Sequence, residues 1–366
     1  MDKRLKKVMI LLFCTLFLIS GCQQSDQSET ETGTGGLSSE GLTSETPKES
    51  KLKAYFLDVG QGSAAVYETE GHFLLVDGGD RSTSSYVVSY LKNLGVESLD
   101  YCIATHYDAD HISGLVGCLN VFPVDCVIAP EYEADSKIYD SFKKMVKNQN
   151  LTITAPVVGE SYSFGEGSFT ILSPKDTQYS DENDYSVGIR LVFGDTSFIS
   201  AGDASALSEY EMLESGLELK SDVYVVNHHG SETSSSEGFL KAVSPSYAII
   251  SCGLNNSYGH PAKQTMDRLK ALDIELFRTD LQGTLTAESD GKTISFLTEA
   301  AGDYTAGEAG IEEGQTADYI LNTITMVFHR PDCSSVSTMN EKNKQEFYGT
   351  REEAEQLGYR ACKRCL

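Results

Sequence analysis

Between Lys53 and Thr298 short β-type runs alternate with helix-like ones, and three of the β runs end abruptly in histidine or aspartate. The runs "KAYFLDVG", "SAAVYET" and "HFLLVDGG" read as strands, "STSSYVVSYLKNLG" as a helix, and "LDYCIATH" as a strand again. Further β-type runs are "CVIAP", "FTILSP", "VGIRLVFG", "TSFISAG", "VYVVNH", "YAIISCG" and "TISFLTE". Helix-like "DSFKKMVKNQN", "LSEYEMLESG" and "AKQTMDRLKAL" lie between them. Many strands interleaved with helices bury their apolar faces only by stacking in layers, which predicts a layered α/β or α+β domain over residues 51–298.

The stretch "ATHYDADHISGL", Ala104 to Leu115, places His106, Asp108, Asp110 and His111 within six consecutive positions. With "LDYCIA" as a strand and "HISGLVGCLN" opening a helix, His106 and Asp108 point the same way along the connecting loop. Asp110 and His111 turn toward the other side as the helix begins, so one loop can serve two adjacent metal ions. The plain alternative is a capping aspartate beside solvated histidines. Two other strand ends carry the same residue types: Asp203 after "TSFISAG", and His228 and His229 after "VYVVN". A carboxylate in the first place can bridge two cations. The expected set is His106, Asp108 and Asp203 on one ion, with Asp110, His111, Asp203 and His228 on the other. His228 is preferred because it falls nearest the strand end, with His229 as its substitute. Of the seven histidines, five fall in these motifs and "YGHP", one lies in the C-terminal tail, and His72 has no assigned role.

The loop resembles the HxHxDH signature of the metallo-β-lactamase superfamily, written here as HxDxDH. The likeness is closer to the extracellular domain of the competence DNA-uptake protein ComEC and its stand-alone relatives. With these the chain shares "FLDVGQGSA" (Phe56 to Ala64), "LLVDGG" (Leu74 to Gly79), "NDYSVGIRL" (Asn183 to Leu191), "ISAGD" (Ile199 to Asp203), "VNHHGSETSS" (Val226 to Ser235) and "YGHP" (Tyr258 to Pro261), in order across residues 52–298. The resemblance implies an α+β four-layer αβ/βα sandwich, the metallo-β-lactamase fold, and a two-metal site. In such hydrolysis the cations acidify a bridging water, polarise the phosphoryl or carbonyl oxygen and stabilise the leaving oxygen. Asp110 is then expected to orient that water or take its proton. His229 and His260 are expected to contact a substrate phosphate or protonate the leaving group, or else to act as orienting or helix-start residues. Asp77 and Asp58 are expected to support the ligand loop by hydrogen bonds, or to cap turns.

Two departures from the superfamily pattern bear on the metal. Asp108 stands where the signature has histidine, and the histidine expected before Asp203 is missing, with Asn183 and Asp184 in its neighbourhood. More oxygen and fewer imidazole ligands favour harder ions, so Mn²⁺ competes with Zn²⁺. A weak second site with single-ion catalysis is the other possibility.

The chain opens "MDKRLKKVMILLFCTLFLISGC", a basic start followed by an apolar run. This reads as a secretion signal over residues 1–21. Its end resembles the lipobox of bacterial lipoproteins, which implies lipidation of Cys22 and attachment to the outer face of the cytoplasmic membrane. Residues 22–50 are rich in Ser, Thr, Gly and Glu and have the composition of a flexible tether reaching on the order of 30 Å. Loss of residues 1–21 removes four basic side chains and one acidic one, moving the net charge from −25 to −28. A body that acidic repels phosphate backbones at long range, so a nucleic-acid contact has to come from local groups or bound metal. Cys102, Cys118, Cys126 and Cys252 sit mostly in apolar contexts and are expected as buried thiols, with a disulfide among them as the alternative in an exported protein.

After a linker at 299–317, residues 318–366 form a separate small module. His329 and Cys333, then Cys362 and Cys365, give four soft ligands on two knuckles, suited to a closed tetrahedral Zn²⁺. So small a unit has little core, and the metal would supply much of its folding energy. It resembles the zinc-binding domain of the Ada DNA-alkylation-repair protein. There the first ligand is a methyl-accepting cysteine; His329 stands here in its place, so methyl transfer is not implied. Equal numbers of basic and acidic side chains in the module lend no independent support to DNA binding.

The expected protein is an extracellular, lipid-anchored, metal-dependent hydrolase, a phosphodiesterase or nuclease acting on DNA through a metal-activated water. It would carry two divalent ions, zinc or manganese, and one structural zinc, and no protein partner is implied. The alternatives are a hydrolase of small esters, lactones or β-lactams, and a non-catalytic DNA-binding surface lipoprotein.

Overall fold

The β-type runs assemble into two sheets whose strands turn alternate side chains to opposite faces. A computed structural model describes residues 50–307, 317–331, 333–362 and 365. The expected signal segment, Cys22 and nearly all of the tether lie outside the described residues. The first six strands are β1 (Leu52–Phe56), β2 (Ala65–Thr69), β3 (His72–Val76), β4 (Leu99–Ile103), β5 (Val124–Ile128) and β6 (Ile153–Thr154). Next come β7 (Ser161–Phe164), β8 (Gly167–Ser173), β9 (Gly188–Phe193), β10 (Thr196–Ser200), β11 (Val223–Val225), β12 (Tyr247–Ile250) and β13 (Glu275–Arg278), which form a seven-stranded sheet in the order β13-β12-β11-β10-β9-β8-β7. β14 (Leu285–Ser289) and β15 (Ile294–Phe296) return to the first sheet, an eight-stranded one in the order β15-β14-β1-β2-β3-β4-β5-β6.

Helices α1 (Ser84–Asn93), α2 (Ala109–Val121) and α3 (Lys137–Asn148) follow strands of the first sheet; α4 (Ala206–Glu214), α5 (Glu237–Val243) and α6 (Lys263–Ala271) follow strands of the second. The period of two in the strands decides which layer each residue enters. In β3, Phe73 and Leu75 join Val87, Leu91, Leu115 and Phe142 of the helices, whereas Leu74 and Val76 join Phe169, Ile189 and Phe198 of the opposite sheet. A third apolar layer packs Ile199, Tyr224 and Ile250 on Met212, Phe239 and Leu269. Helices, sheet, sheet, helices: this is the four-layer αβ/βα sandwich. No helix among the described residues is long and apolar enough to cross a membrane.

Strands β3 to β6 run parallel, as do β10 to β13. The residues following β3, β4, β10, β11 and β12 are Asp77, the His106 loop, Asp203, the His228–His229 pair and Ser251, so parallel strands carry them to sheet ends of one polarity, where α/β sheets place ligands. Cys102, Cys118, Cys126 and Cys252 are free thiols, and all but the half-buried Cys126 are buried.

The expected linker starts later than its composition suggests. Buried Arg278 pairs with Asp280 at 2.7 Å and also donates to the carbonyls of Thr305 (2.6 Å) and Asp303 (3.4 Å). Ala301 N–H reaches Leu276 O, and Gly307 N–H reaches Pro261 O at 2.8 Å. A buried guanidinium with acceptors left to find thus pins residues 301–307 to the domain, correcting the boundary at 298.

The C-terminal module is a four-stranded sheet of β16 (Ala317–Asn322), β17 (Val327–His329), β18 (Lys344–Gly349) and β19 (Arg360–Ala361), in the order β18-β16-β17-β19. Among the described residues its apolar core is small: Tyr319, Leu321, Phe328 and Ala354 in one cluster, and Val336 beside the cysteines in another. A capping box of Thr350 and Glu353 starts its helix Arg351–Gln356.

Candidate metal centres

Three imidazoles meet where β4, β10 and β11 end. His106 and His111 are wholly buried and His229 nearly so. Each has its Nδ1 side engaged away from the others, which fixes the tautomer. His111 Nδ1–H donates to Asp77 Oδ2 at 2.8 Å, and His229 Nδ1–H donates to Ser251 O at 2.8 Å. Thr105 donates its hydroxyl proton to Asp77 Oδ2 (2.8 Å), so it accepts from His106 Nδ1–H at 3.1 Å. In the neutral form of each ring the Nε2 lone pair therefore faces inward. His106 Nε2 is buried with no hydrogen-bond partner, while the Nε2 atoms of His111 and His229 stand only 3.2 Å apart. In that neutral form, buried lone pairs brought this close call for a cation.

Carboxylates complete the set. Asp203 Oδ1 lies 3.3 Å from His111 Nε2, and its Oδ2 lies 3.4 Å from His229 Nε2 and 3.6 Å from His228 Nε2. Asp110 Oδ2 is 3.5 Å from His229 Nε2 and 3.9 Å from His111 Nε2, and Asp108 Oδ2 is 3.7 Å from His106 Nε2. Tetrahedral ligand atoms about 2.1 Å from an ion lie about 3.4 Å from one another, so these separations suit ion binding and are mostly too long for hydrogen bonds. Two overlapping groups have ligand atoms close enough to share an ion: His106, His111 and Asp203, and Asp110, His111 and His229.

Of the histidine pair, it is thus His229 and not the expected His228 that joins Asp110 and His111. Both residues have left-handed backbones, φ 51° and 54°, so strand alternation does not predict their side chains. His228 stays at the rim, its Nδ1 3.3 Å from Thr233 Oγ1. Asp108 also stands at the rim, its side chain half exposed. Asp77 fills the expected supporting role: wholly buried, it takes Thr105 N–H, Thr105 O–H and His111 Nδ1–H. Asp58 does not; it is exposed and caps its own turn by accepting from Gly60 N–H at 3.2 Å. Asp184, near the missing histidine, holds Ser205 and Ser208 at the start of α4 instead of a metal.

Sequence reading missed the groups that fix this geometry. Ser186 Oγ accepts from Asp203 N–H at 3.1 Å. Buried Glu209 on α4 accepts from Ser235 N–H, Ser236 N–H and Asn227 Nδ2, and so ties down the loop that carries both histidines. Of the three acids on α4 only Glu209 is buried, and no signal in the sequence sets it apart from Glu211 and Glu214. At Gly114 an added Cβ would lie 1.8 Å from Gly78 O, so only glycine lets α2 bring Asp110 and His111 this close to Asp77. A groove of about 720 Å³ starts beside the ligand loop at Ala109 and Ser113, with Arg81 and Lys137 among its lining residues.

Charge follows the geometry. Burial opposes an imidazolium at His229, but Asp203 and Asp110 outweigh it and raise its pKa to about 10. His111 is raised well above the usual range in the same way, against its own burial, by Asp203, Asp77 and Asp110. Despite burial, Asp203 is held well below the carboxylate range by His229 and His111, and Asp110 is lowered by His111 and His229. Without an ion the pocket takes up protons, as a site built for positive charge does. His260, one ring further out, is lowered to about 4 by burial and by His229 and His228, and its buried Nδ1 has no partner.

In the C-terminal module His329, Cys333, Cys362 and Cys365 are all buried, with ligand atoms within 4.8 Å of one another. Nδ1 of His329 has no hydrogen-bond partner. Four convergent soft ligands with an orphaned imidazole nitrogen fit a zinc ion.

A four-layer sandwich with histidines and aspartates gathered where parallel strands end defines a class, the metal-dependent hydrolases. Residues 57–254, more than half of the chain, match the metallo-beta-lactamase superfamily, and the chain belongs to that superfamily. Residues 314–366 match the metal binding domain of Ada. The chain is similar to competence protein ComA of Neisseria gonorrhoeae, 31% identical over 230 residues that cover 62% of this chain and 31% of the relative. It is 28% identical to ComE operon protein 3 of Bacillus subtilis over 247 residues, 63% of this chain and 32% of the relative. With recombination protein 2 of Haemophilus influenzae it shares 32% identity over 232 residues, 62% of this chain and 27% of the relative. It therefore spans about a third of the length of these relatives. Among solved structures, the metallo-beta-lactamase fold protein YhfI of Bacillus subtilis aligns with TM-score 0.42 and 14% identity, covering 62% of this chain and 95% of that one, too distant to bear on the site. The superfamily implies divalent metal in the hydrolase site, and the Ada match implies zinc in the module.

Proposed function

We propose that the protein is a phosphodiesterase whose substrate is DNA, tethered by a lipid on Cys22 at the outer face of the cytoplasmic membrane. The observation that carries the reaction class is the inward convergence of the Nε2 atoms of His106, His111 and His229 with Asp108, Asp110 and Asp203. Asp203 touches histidines of both groups, so the residues present fit two divalent ions, zinc or manganese, with His106, Asp108 and Asp203 on one side and Asp110, His111, His229 and Asp203 on the other. Bound ions of this kind supply acidified water and neutralise charge on a phosphoryl group. Asp110, the more solvent-accessible of the carboxylates between the imidazoles, orients the attacking water and takes its proton. His260, neutral above about pH 4, offers an N–H to a phosphate oxygen and does not serve as a proton donor to the leaving group.

Two relatives named for competence and recombination, processes whose material is DNA, support the choice of substrate. The basic and apolar start and the sequence Ile19-Ser20-Gly21-Cys22 support the lipid anchor. Turnover of an oligodeoxynucleotide, bis(p-nitrophenyl) phosphate and nitrocefin, measured with Mn²⁺ or Zn²⁺ for wild type and Asp110→Ala, tests the reading. Phosphodiester cleavage falling at least about 100-fold in the variant is the expected result. Nitrocefin turnover without phosphodiester cleavage, or DNA retention with no turnover, would overturn it.

A further inference from the structure

The loop from Gly253 to His260 forms a lip over the metal-ligand histidines and presents its apolar side chains outward. Tyr258 is 70% exposed and Leu254 59% exposed. This exposure does not come from a loosely held loop. Buried Asn256 makes four hydrogen bonds within it: Nδ2 donates to Gly253 O (2.9 Å) and His260 O (2.6 Å), and Oδ1 accepts from Tyr258 N–H (3.1 Å) and His260 N–H (3.0 Å). From below, Gly307 braces the lip so closely that an added Cβ would lie 2.2 Å from His260 O. Tyr258 is offset-stacked on His260, 5.5 Å between ring centroids at 23°, and His260 lies 6.3 Å from His229 at 27°. One face of the Tyr258 ring thus covers the site's outermost histidine, and the other is open to solvent.

We infer that Tyr258 is a specificity-determining residue, a platform on which an unpaired nucleobase next to the scissile phosphate stacks, so that the substrate is a single strand or a frayed end. This inference rests on the phosphodiesterase reading. A preorganised aromatic face is what a sequence-tolerant reader of single strands uses, because every base has a π-face. It also suits the charge of the chain: a body with net charge −25 gains little from long-range attraction of phosphates, and stacking is insensitive to that charge. A paired base, already stacked in a duplex, offers no face to the ring.

The chain contains no tryptophan, so Tyr258→Trp creates a single reporter at the platform. Its fluorescence is titrated with 2′-deoxyguanosine 5′-monophosphate and with deoxyribose 5-phosphate, neither of which is a diester. Quenching by the nucleotide alone is expected; no quenching, or equal responses to both, overturns the platform. In a second arm Tyr258→Ala is expected to raise KM for a single-stranded oligonucleotide by about 5- to 100-fold while leaving that for a matched abasic strand unchanged. Equal losses on both strands, or none on either, overturn the assignment. Failure of the wild type to cleave any phosphodiester refutes the enzymatic reading alone, because the fluorescence titration needs no turnover.

Discussion

Replacing Asp77 by Asn changes one buried atom and should reverse a histidine tautomer. Asp77 Oδ2 takes protons from both Thr105 Oγ1 and His111 Nδ1, each at 2.8 Å, while Oδ1 takes Thr105 N–H at 2.9 Å. With the amide oxygen kept on Thr105 N–H, the new NH₂ faces His111 Nδ1, which must then accept. The proton moves to His111 Nε2, the atom that lies 3.2 Å from His229 Nε2 and 3.3 Å from Asp203 Oδ1, and a protonated nitrogen cannot ligate. Losing a partner of this kind typically weakens metal binding by about 10- to 100-fold, or about 1.4–2.7 kcal/mol. Competition with a chromogenic chelator, read separately for the hydrolase site and the cysteine site, measures this directly. Hydrolase-site affinity within twofold of wild type would refute the assigned tautomer and with it the inward-facing lone pairs.

His229→Ala should abolish hydrolase-site binding of one ion, whereas His228→Ala should keep it and raise KM, measured by metal content and kinetics. Without metal, His229 has a folded pKa of about 10 against an ordinary 6.5, so its stabilising contribution is full below pH 6.5 and is lost as pH rises through 10. Metal binding should accordingly release protons, seen as calorimetric heats that scale with buffer ionisation enthalpy; buffer-independent heats would contradict this. Glu209→Gln puts a donor among three donors and should destabilise the domain by about 2 kcal/mol in urea melts. Arg81→Glu with Lys137→Glu, two cations of the groove beside the ligand loop, should raise KM for an oligonucleotide and leave KM for bis(p-nitrophenyl) phosphate unchanged in steady-state kinetics.

The ligand loop was legible because its four ligand-type residues directly follow a clear strand, and a strand end fixes where a loop begins. The other ligands were legible for the same reason, by position after β10 and β11. Choosing between His228 and His229 was not, because two successive left-handed residues break the alternation on which the choice depended. Of the two roles expected for Asp58 the structure has the turn cap, because the N–H of Gly60 two residues on meets its carboxylate. "LTAES" was not among the β-type runs, yet it pairs with β1 as a strand whose alternate residues are buried. Residues 301–307 have the composition of a linker, and what holds them is the distant Arg278, a long-range demand for acceptors that local composition does not record.

Anomalous diffraction from crystals grown with Mn²⁺ or Zn²⁺ tests most directly whether these far-apart segments form a cation pocket. The account predicts peaks at bonding distance from His106 and Asp203, and from His111 and His229, besides one at Cys333, Cys362 and Cys365. A peak at the cysteines alone, with the imidazoles in the same positions, would contradict it.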